Sequence, residues 1–360
     1  MRPRQRNAHF LQPVLYLCAL FLCFATSVHS ETLRIATYNT ELSRKAPGIL
    51  LRDIEKGDDP QIQAVLKLIL KANADVLLLQ GIDWDYELRA LKALERRLAL
   101  SGQPYPHLFM AQPNRGRITG LDLDGDGRLN GSGDAQGFGR FSGQNGMALL
   151  SRRPLIQEEI EDYSTLLWRD LPGARLPQHP DGSPFPSAQA QSVQRLSSTA
   201  HWRIPLRLEN GGRLDLLCFQ AGTPLFDGRE DRNGLRNRDE IRFWTLFLDG
   251  AFSSTWRPPP KTDFVLLGDA NLDPDRGAGH RDAIANLLQD RRLKDPFSAR
   301  SQDEIHTVDW GNAGKMRTSY VLPSSDLTTP EAGIISPVSA FAASTQAGRH
   351  RLVWVDIDLN

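Results

Sequence analysis

Residues 264–271 read FVLLGDAN. The apolar run Phe264–Leu267 predicts a strand, and Gly268-Asp269-Ala270-Asn271 ends it on polar groups. The same arrangement recurs outward from this point. Leu33–Tyr38 alternates with period two and ends at Asn39. Val76–Leu79 is a continuous apolar run, as in a strand buried on both faces, and ends at Gln80. Arg349-His350-Arg351 stands just before the apolar run Leu352–Ile357. Four strands therefore carry Asn, Gln, Asp or His at their ends, where a sheet presents side chains to a common cleft.

Further strands are expected at Gly146–Leu150, Leu214–Phe219 and Tyr320–Leu322. Helices are expected over Pro60–Ala72, Tyr86–Leu100, Asn237–Leu248 and His280–Leu288. Pro60 suits a first helical position, and Ile62, Val65, Leu66 and Ile69 form an apolar stripe behind it. Strands for two sheets with helices outside them make an α/β (α+β) chain. No stretch has the composition of an interdomain linker, so residues 31–360 are read as one domain. Asn114–Asn145, Pro172–Pro186 and Thr223–Asp239 are long or charge-dense loops, the usual place for binding groups.

Hydrolysis of a phosphate ester needs a carboxylate to activate water. It also needs amides or histidine on the phosphoryl oxygens and, commonly, a carboxylate-held metal. The order strand–Asn39, strand–Gln80, Gly268-Asp269-Ala270-Asn271 and a terminal His350 resembles the endonuclease/exonuclease/phosphatase superfamily. The strings LDLDGDGRLNG (121–131), GDAQGFGRFSGQNGMALLSR (133–152), FDGREDRNG (226–234) and RHRLVWVDI (349–357) resemble an exported bacterial branch of it. The resemblance implies a four-layered sandwich, two packed mixed β-sheets flanked by helices. It implies that Asp269 orients or activates water and that His350 contacts the scissile phosphate. Asn39 and Asn271 would hold phosphate, and a divalent metal, Mg²⁺ or Mn²⁺, would assist.

The chain departs from that pattern at four positions. Gly81 follows Gln80 where the family has a metal-binding Glu. Gln220 stands for a common His, Ser319 for an Asp, and Arg349 for the Asp that precedes the terminal His. Glu41 and Asp83 are candidate substitute metal ligands, each two residues beyond a strand-end position. Asp83 and Asp85 also suit the cap of the following helix. Two readings follow: an exported metal-dependent phosphoesterase, or a relative that binds an anionic ligand or a protein without catalysis. The partner is a small phosphorylated substrate or a nucleic acid.

Asp122, Asp124 and Asp126 alternate, with Gly127 behind them, like the first half of a calcium loop. Its twelfth position is Gly133, and Asp134 follows. Ca²⁺ at Asp122–Asn130 is set against a solvated Asp/Gly turn. The arginines of Phe226–Arg238 are either phosphate clamps or a self-paired surface run.

Arg2, Arg4 and Arg6 precede an apolar run from Val14 to Ala25, with Val28 and Ser30 before Glu31. This describes a secretory signal peptide over residues 1–30 and places the chain in the periplasm or outside the cell. The run is shorter than the roughly 20 residues that span a bilayer, so no stable membrane insertion is expected after cleavage. The leader holds three of the 43 basic residues and none of the 43 acidic ones. The mature chain is then slightly acidic, with no general field for a nucleic-acid backbone. Cys18 and Cys23 leave with the leader. Cys218, in the apolar stretch Leu214–Phe219, remains as a small hydrophobe with no intrachain partner.

Overall fold

The computed structural model describes residues 31–337 and 348–359. The expected leader lies outside the described residues. The strands are β1 (Glu31–Asn39), β2 (Val76–Ile82), β3 (His107–Phe109), β4 (Gly146–Ser151), β5 (Glu161–Asp162), β6 (Ala200–Arg207), β7 (Arg213–Gln220), β8 (Phe264–Asp269), β9 (Val308–Asp309), β10 (Lys315–Met316), β11 (Ser319–Pro323), β12 (Ala332–Ile335) and β13 (Leu352–Leu359). The helices are α1 (Ile49–Lys56), α2 (Pro60–Ala72), α3 (Arg89–Leu100), α4 (Ala188–Val193), α5 (Arg232–Leu248), α6 (Asp282–Leu288) and α7 (Gln302–Ile305).

Among the described residues, two large sheets run in the orders β12-β13-β1-β2-β4-β3 and β11-β8-β7-β6-β5. Both are mixed: β1 is parallel to β2 and antiparallel to β13, and β8 is parallel to β7 and antiparallel to β11. The period-two alternation of strand side chains builds the layers. Leu33, Ile35, Val76 and Leu78 face Leu216, Cys218, Val265, Leu267 and Val321 between the sheets. On the other face of the first sheet, Ala36, Tyr38, Leu77 and Leu79 pack against Leu50, Val65, Ile69 and Leu94 of α1–α3. Leu217, Phe219, Leu266 and Tyr320 of the second sheet pack against Ile241, Trp244 and Ile284 of α5 and α6. The result is the expected four-layered sandwich. Each fully buried side chain of this kind contributes about 1.5–3 kcal/mol.

Local chemistry explains where the elements begin. Pro60 opens α2, as the sequence indicates, and Asp59 Oδ1 caps it by accepting from the Ile62 amide at 2.9 Å. The next helix starts at Arg89 rather than Tyr86. Leu88 is left-handed, and the Asp85 carboxylate accepts from the amides of Arg89 (2.7 Å) and Ala90 (2.9 Å). Helix α5 starts at Arg232, five residues before the expected Asn237. Its first turns bury Arg236, Asn237, Asp239 and Glu240, so an apolar stripe does not reveal them. Strand β6 is not among the sequence expectations. Its inward side chains Trp202, Ile204 and Leu206 alternate, but Pro205 argues against a strand. Pro205 is accommodated because it lies beyond the end of β5, which pairs only with Trp202 and Arg203. Among the described residues no helix is long and apolar enough to cross a membrane.

Candidate active site

At one end of the sandwich the apolar inner faces give way to polar groups. The strand register sets Asn39 beside Gln80, and Asp269 between Gln220 and Ser319. These side chains continue the inward series of Ile35, Leu78, Cys218, Leu267 and Val321, and all are buried. Asn39 Nδ2 donates to Asp269 Oδ2 at 2.8 Å, joining the two sheets across the cleft. The Asn271 amide donates to Asp269 Oδ1 at 3.1 Å. Asn271 is left-handed, and its Nδ2 donates to the Ala221 carbonyl at 2.8 Å.

His350 is bridged to Val308 just before β13 and meets the Trp310 ring edge-on at 5.4 Å. Burial pulls its pKa below the ordinary value of 6.5, with Asp269 and Glu41 partly offsetting it. The imidazole is therefore neutral at neutral pH. Gln80 Oε1, Gln220 Oε1, Ser319 Oγ and His350 Nδ1 are buried without a hydrogen-bond partner among the described residues. An unpaired buried polar atom costs about 1–3 kcal/mol, so four of them at this end of the sandwich call for polar partners such as water or a bound ligand. Asn39, the Asp269–Asn271 segment and His350, far apart in sequence, are thus brought together.

The two candidate metal ligands part company. Glu41 reaches the site, but its carboxylate is taken by Arg349. The backbone amide donates at 2.7 Å and Nε at 3.0 Å, and Nη2 also donates. Burial would raise the Glu41 pKa, and the bonds from Arg349 more than offset this and hold it below the ordinary value. Asp83 is a brace instead. Its carboxylate accepts from Ser43 Oγ (2.7 Å), the Arg44 amide (2.8 Å) and the Asn145 amide (3.0 Å). The alternation that would carry Asp83 to the side of position 81 is broken by a register shift between Gln80 and Ile82. Asp83 also does not cap α3, a role Asp85 takes alone.

Gly81 sits in that bulge at φ 73°. A Cβ there would stand 2.6 Å from Asn39 Oδ1 and 2.8 Å from the Glu41 nitrogen. The place of the family's glutamate is thus filled by the Asn39–Glu41 backbone and amide. The Mg²⁺ or Mn²⁺ that the resemblance implies does not fit this donor set: Gly81 offers nothing, Arg349 is a cation, and Glu41 is already paired.

Among the described residues, one group of three potential metal-ligating side chains has its ligand atoms within 4.8 Å of one another: Asp122, Asp124 and Asp126. Asp122 accepts from the amides of Gly125 and Gly127, and Asp126 from that of Arg128. Buried Asp134 closes the loop by accepting from the amides of Leu123 (3.0 Å) and Gly131 (2.7 Å). The loop forms one wall of a cavity of about 530 Å³, whose lining includes Arg115, Phe138, Leu225, Phe226 and Arg232. Arg115 also lines a shallower groove with Arg44, Lys45 and Arg140. Arg115 lies within electrostatic reach of Asp269, and Nε donates to Thr199 Oγ1 at 2.9 Å.

Sequence reasoning does not single out Arg115, because nothing local distinguishes it from other loop arginines. It also assigns no support to the site from α5. There Asn237 Nδ2 donates to the carbonyls of Gly222 (2.7 Å) and Ala270 (2.8 Å), clamping the segments that follow β7 and β8. Buried Glu240 accepts from the Gly222 amide at 2.7 Å, and burial raises its pKa. Arg236 is not a phosphate clamp; it donates to the carbonyls of Leu196 (2.9 Å), Arg195 (2.7 Å) and Ser197 (3.2 Å). His201 stacks on Trp244 at 5.5 Å and bonds Ser197 and the Glu240 carbonyl. Burial pulls its pKa down to about 4, as in a neutral core histidine.

A sequence model of the Endonuclease/Exonuclease/phosphatase family matches residues 36–345. The chain belongs to that family. Among solved structures, an endonuclease/exonuclease/phosphatase from Beutenbergia cavernae DSM 12333 is 16% identical with a TM-score of 0.56, covering 91% of this chain and 72% of that one. A family protein from Leptotrichia buccalis C-1013-b is 15% identical with a TM-score of 0.53, covering 91% of this chain and 100% of that one. Truncated Caenorhabditis elegans TDP2 is 13% identical with a TM-score of 0.50, covering 91% of this chain and 98% of that one. These likenesses are likenesses of fold. No significant match was found among curated proteins.

Proposed function

We propose that the chain is an exported phosphoesterase that hydrolyses a phosphomonoester or phosphodiester at the Asn39–Asp269–Asn271–His350 centre. The observation that carries this reading is the 2.8 Å bond by which Asn39 holds Asp269 across the two sheets, amid buried polar atoms without partners. In the reaction, a water oxygen attacks phosphorus and its proton passes to the Asp269 carboxylate. The bond from phosphorus to the ester oxygen breaks, and the departing alkoxide takes a proton from solvent. Asn39, Asn271 and neutral His350 hold the phosphoryl oxygens. Arg115 and the groove cations Arg44, Lys45 and Arg140 draw the anionic substrate in. Phe138 and Phe226, 66% and 86% exposed, offer apolar faces to the organic part of the ester. Export rests on the leader-like sequence of residues 1–30. Calcium at Asp122–Asn130 would pin the wall of the cavity.

A non-catalytic anion-binding role is favoured by one specific observation, the pairing of Glu41 with Arg349 where metal-binding carboxylates are expected. Turnover of a chromogenic monoester and diester by the purified protein, beside Asp269→Ala, separates the two. Turnover that disappears in the variant supports hydrolysis. Phosphate binding without turnover, from folded wild-type protein, supports the binding role.

A further inference from the structure

We infer that the Arg349 guanidinium, clamped by Glu41, is the resident cation of this site, and that phosphate binds there without a divalent metal. The inference rests on the phosphoesterase reading above and deepens it. Three features of the backbone build the pair. Glu41 is held left-handed at φ 51°, a conformation uncommon outside glycine. Gly81 leaves room for Asn39 and the Glu41 backbone, as described. Gly348, at φ 95°, leaves room for the carboxylate itself: a Cβ there would stand 2.5 Å from Glu41 Oε2. A glycine on each side of one strained glutamate is a cradle for a specific ion pair rather than a chance surface contact.

The arginine is oriented as well as paired. Its guanidinium lies over the Trp310 ring at 4.5 Å, and the same ring meets His350 edge-on. Nε and Nη2 face Glu41, and no hydrogen bond engages Nη1 among the described residues. The residue remains 58% exposed along its side chain, so the cation is open to a ligand. A guanidinium gives directed N–H donors to phosphoryl oxygens, as a metal gives a point charge, but its pKa is too high for proton transfer. It can hold and polarise phosphate beside Asp269 without generating a hydroxide, which leaves water activation to that carboxylate.

The test is binding of inorganic phosphate by calorimetry, in EDTA and then in Mn²⁺, with wild type, Arg349→Ala, Arg349→Lys and Glu41→Gln. The expected result is phosphate affinity that is the same in EDTA and in Mn²⁺. It should weaken about tenfold or more in Arg349→Ala and less in Arg349→Lys, which keeps the charge but loses the fork. Mn²⁺ stoichiometry, measured separately, should be unchanged by Glu41→Gln. Phosphate binding that requires Mn²⁺, with one Mn²⁺ lost in Glu41→Gln, overturns the inference and leaves the phosphoesterase reading standing. Absence of phosphate binding in both EDTA and Mn²⁺, together with absence of turnover, overturns both. Thermal melts of each variant establish that it is folded.

Discussion

Two acidic regions of this molecule have opposite construction. Asp269 Oδ2 is held from afar, by Asn39 on the other sheet, while Oδ1 takes the amide of Asn271 two residues on; Gln220 and Ser319 flank it on neighbouring strands. Around Asp122, Asp124 and Asp126 the partners are amides no more than five residues away. Asp269 is fully buried, whereas the loop acids are half-buried or exposed. A buried carboxylate held across two sheets exists only when the whole sandwich is assembled. An Asp/Gly loop satisfies itself wherever it sits. The first construction is costly to build and depends on the whole fold, while the second needs only its own backbone.

Substitutions should expose that asymmetry. The largest effect is expected for Asp269→Ala, with turnover lowered about 10²- to 10⁴-fold, the range for a positioned acid–base group. A steady-state assay on folded variant protein measures it, and an unchanged rate removes Asp269 from the chemistry. Asn39→Ala leaves the buried Asp269 carboxylate short of a donor and should cost about 1–3 kcal/mol in denaturant unfolding. Gly81→Ala should cost a similar amount, about 1–3 kcal/mol, since it combines a positive φ with a 2.6 Å approach to Asn39 Oδ1. A neutral result would show that the bulge relaxes freely.

Acid pH offers a further contrast, between the buried histidines and buried Glu240. The folded-state pKa of His201 is about 4 against an ordinary 6.5, so the unfolded chain takes the proton first as pH falls. Its contribution to stability is therefore present above pH 6.5, is lost progressively as pH drops toward 4, and changes no further below that. His350 acts with the same sign, and Glu240, raised by burial, acts with the opposite one. Melting temperatures at neutral and acid pH should fall less in His201→Gln than in wild type. The smallest effect belongs to the loop. Asp124→Asn without calcium should change stability by no more than about 0.5 kcal/mol. Millimolar Ca²⁺ should raise the melting temperature of wild type but not of that variant; no shift in wild type makes the loop a solvated turn.

The strands that carry the candidate site are legible in the primary structure. The period-two and continuous apolar runs at Leu33–Tyr38, Val76–Leu79 and Phe264–Leu267 report burial directly, and their polar ends report where the apolar core gives way to buried polar groups. Pro60 likewise announced the start of α2 through its fixed backbone angle, and the structure adds the Asp59 cap. Other features depend on groups distant in sequence. The Gly81 bulge removed Asp83 from the cleft, Arg349 folded onto Glu41 across 308 residues, and α5 began early because its buried polar face is satisfied by carbonyls from other loops. Capping and alternation are local interactions and can be read along the chain. The charge and hydrogen bonding of a buried polar group are settled by whichever partner the packed sheets bring within about 3 Å, and no window of sequence contains that partner.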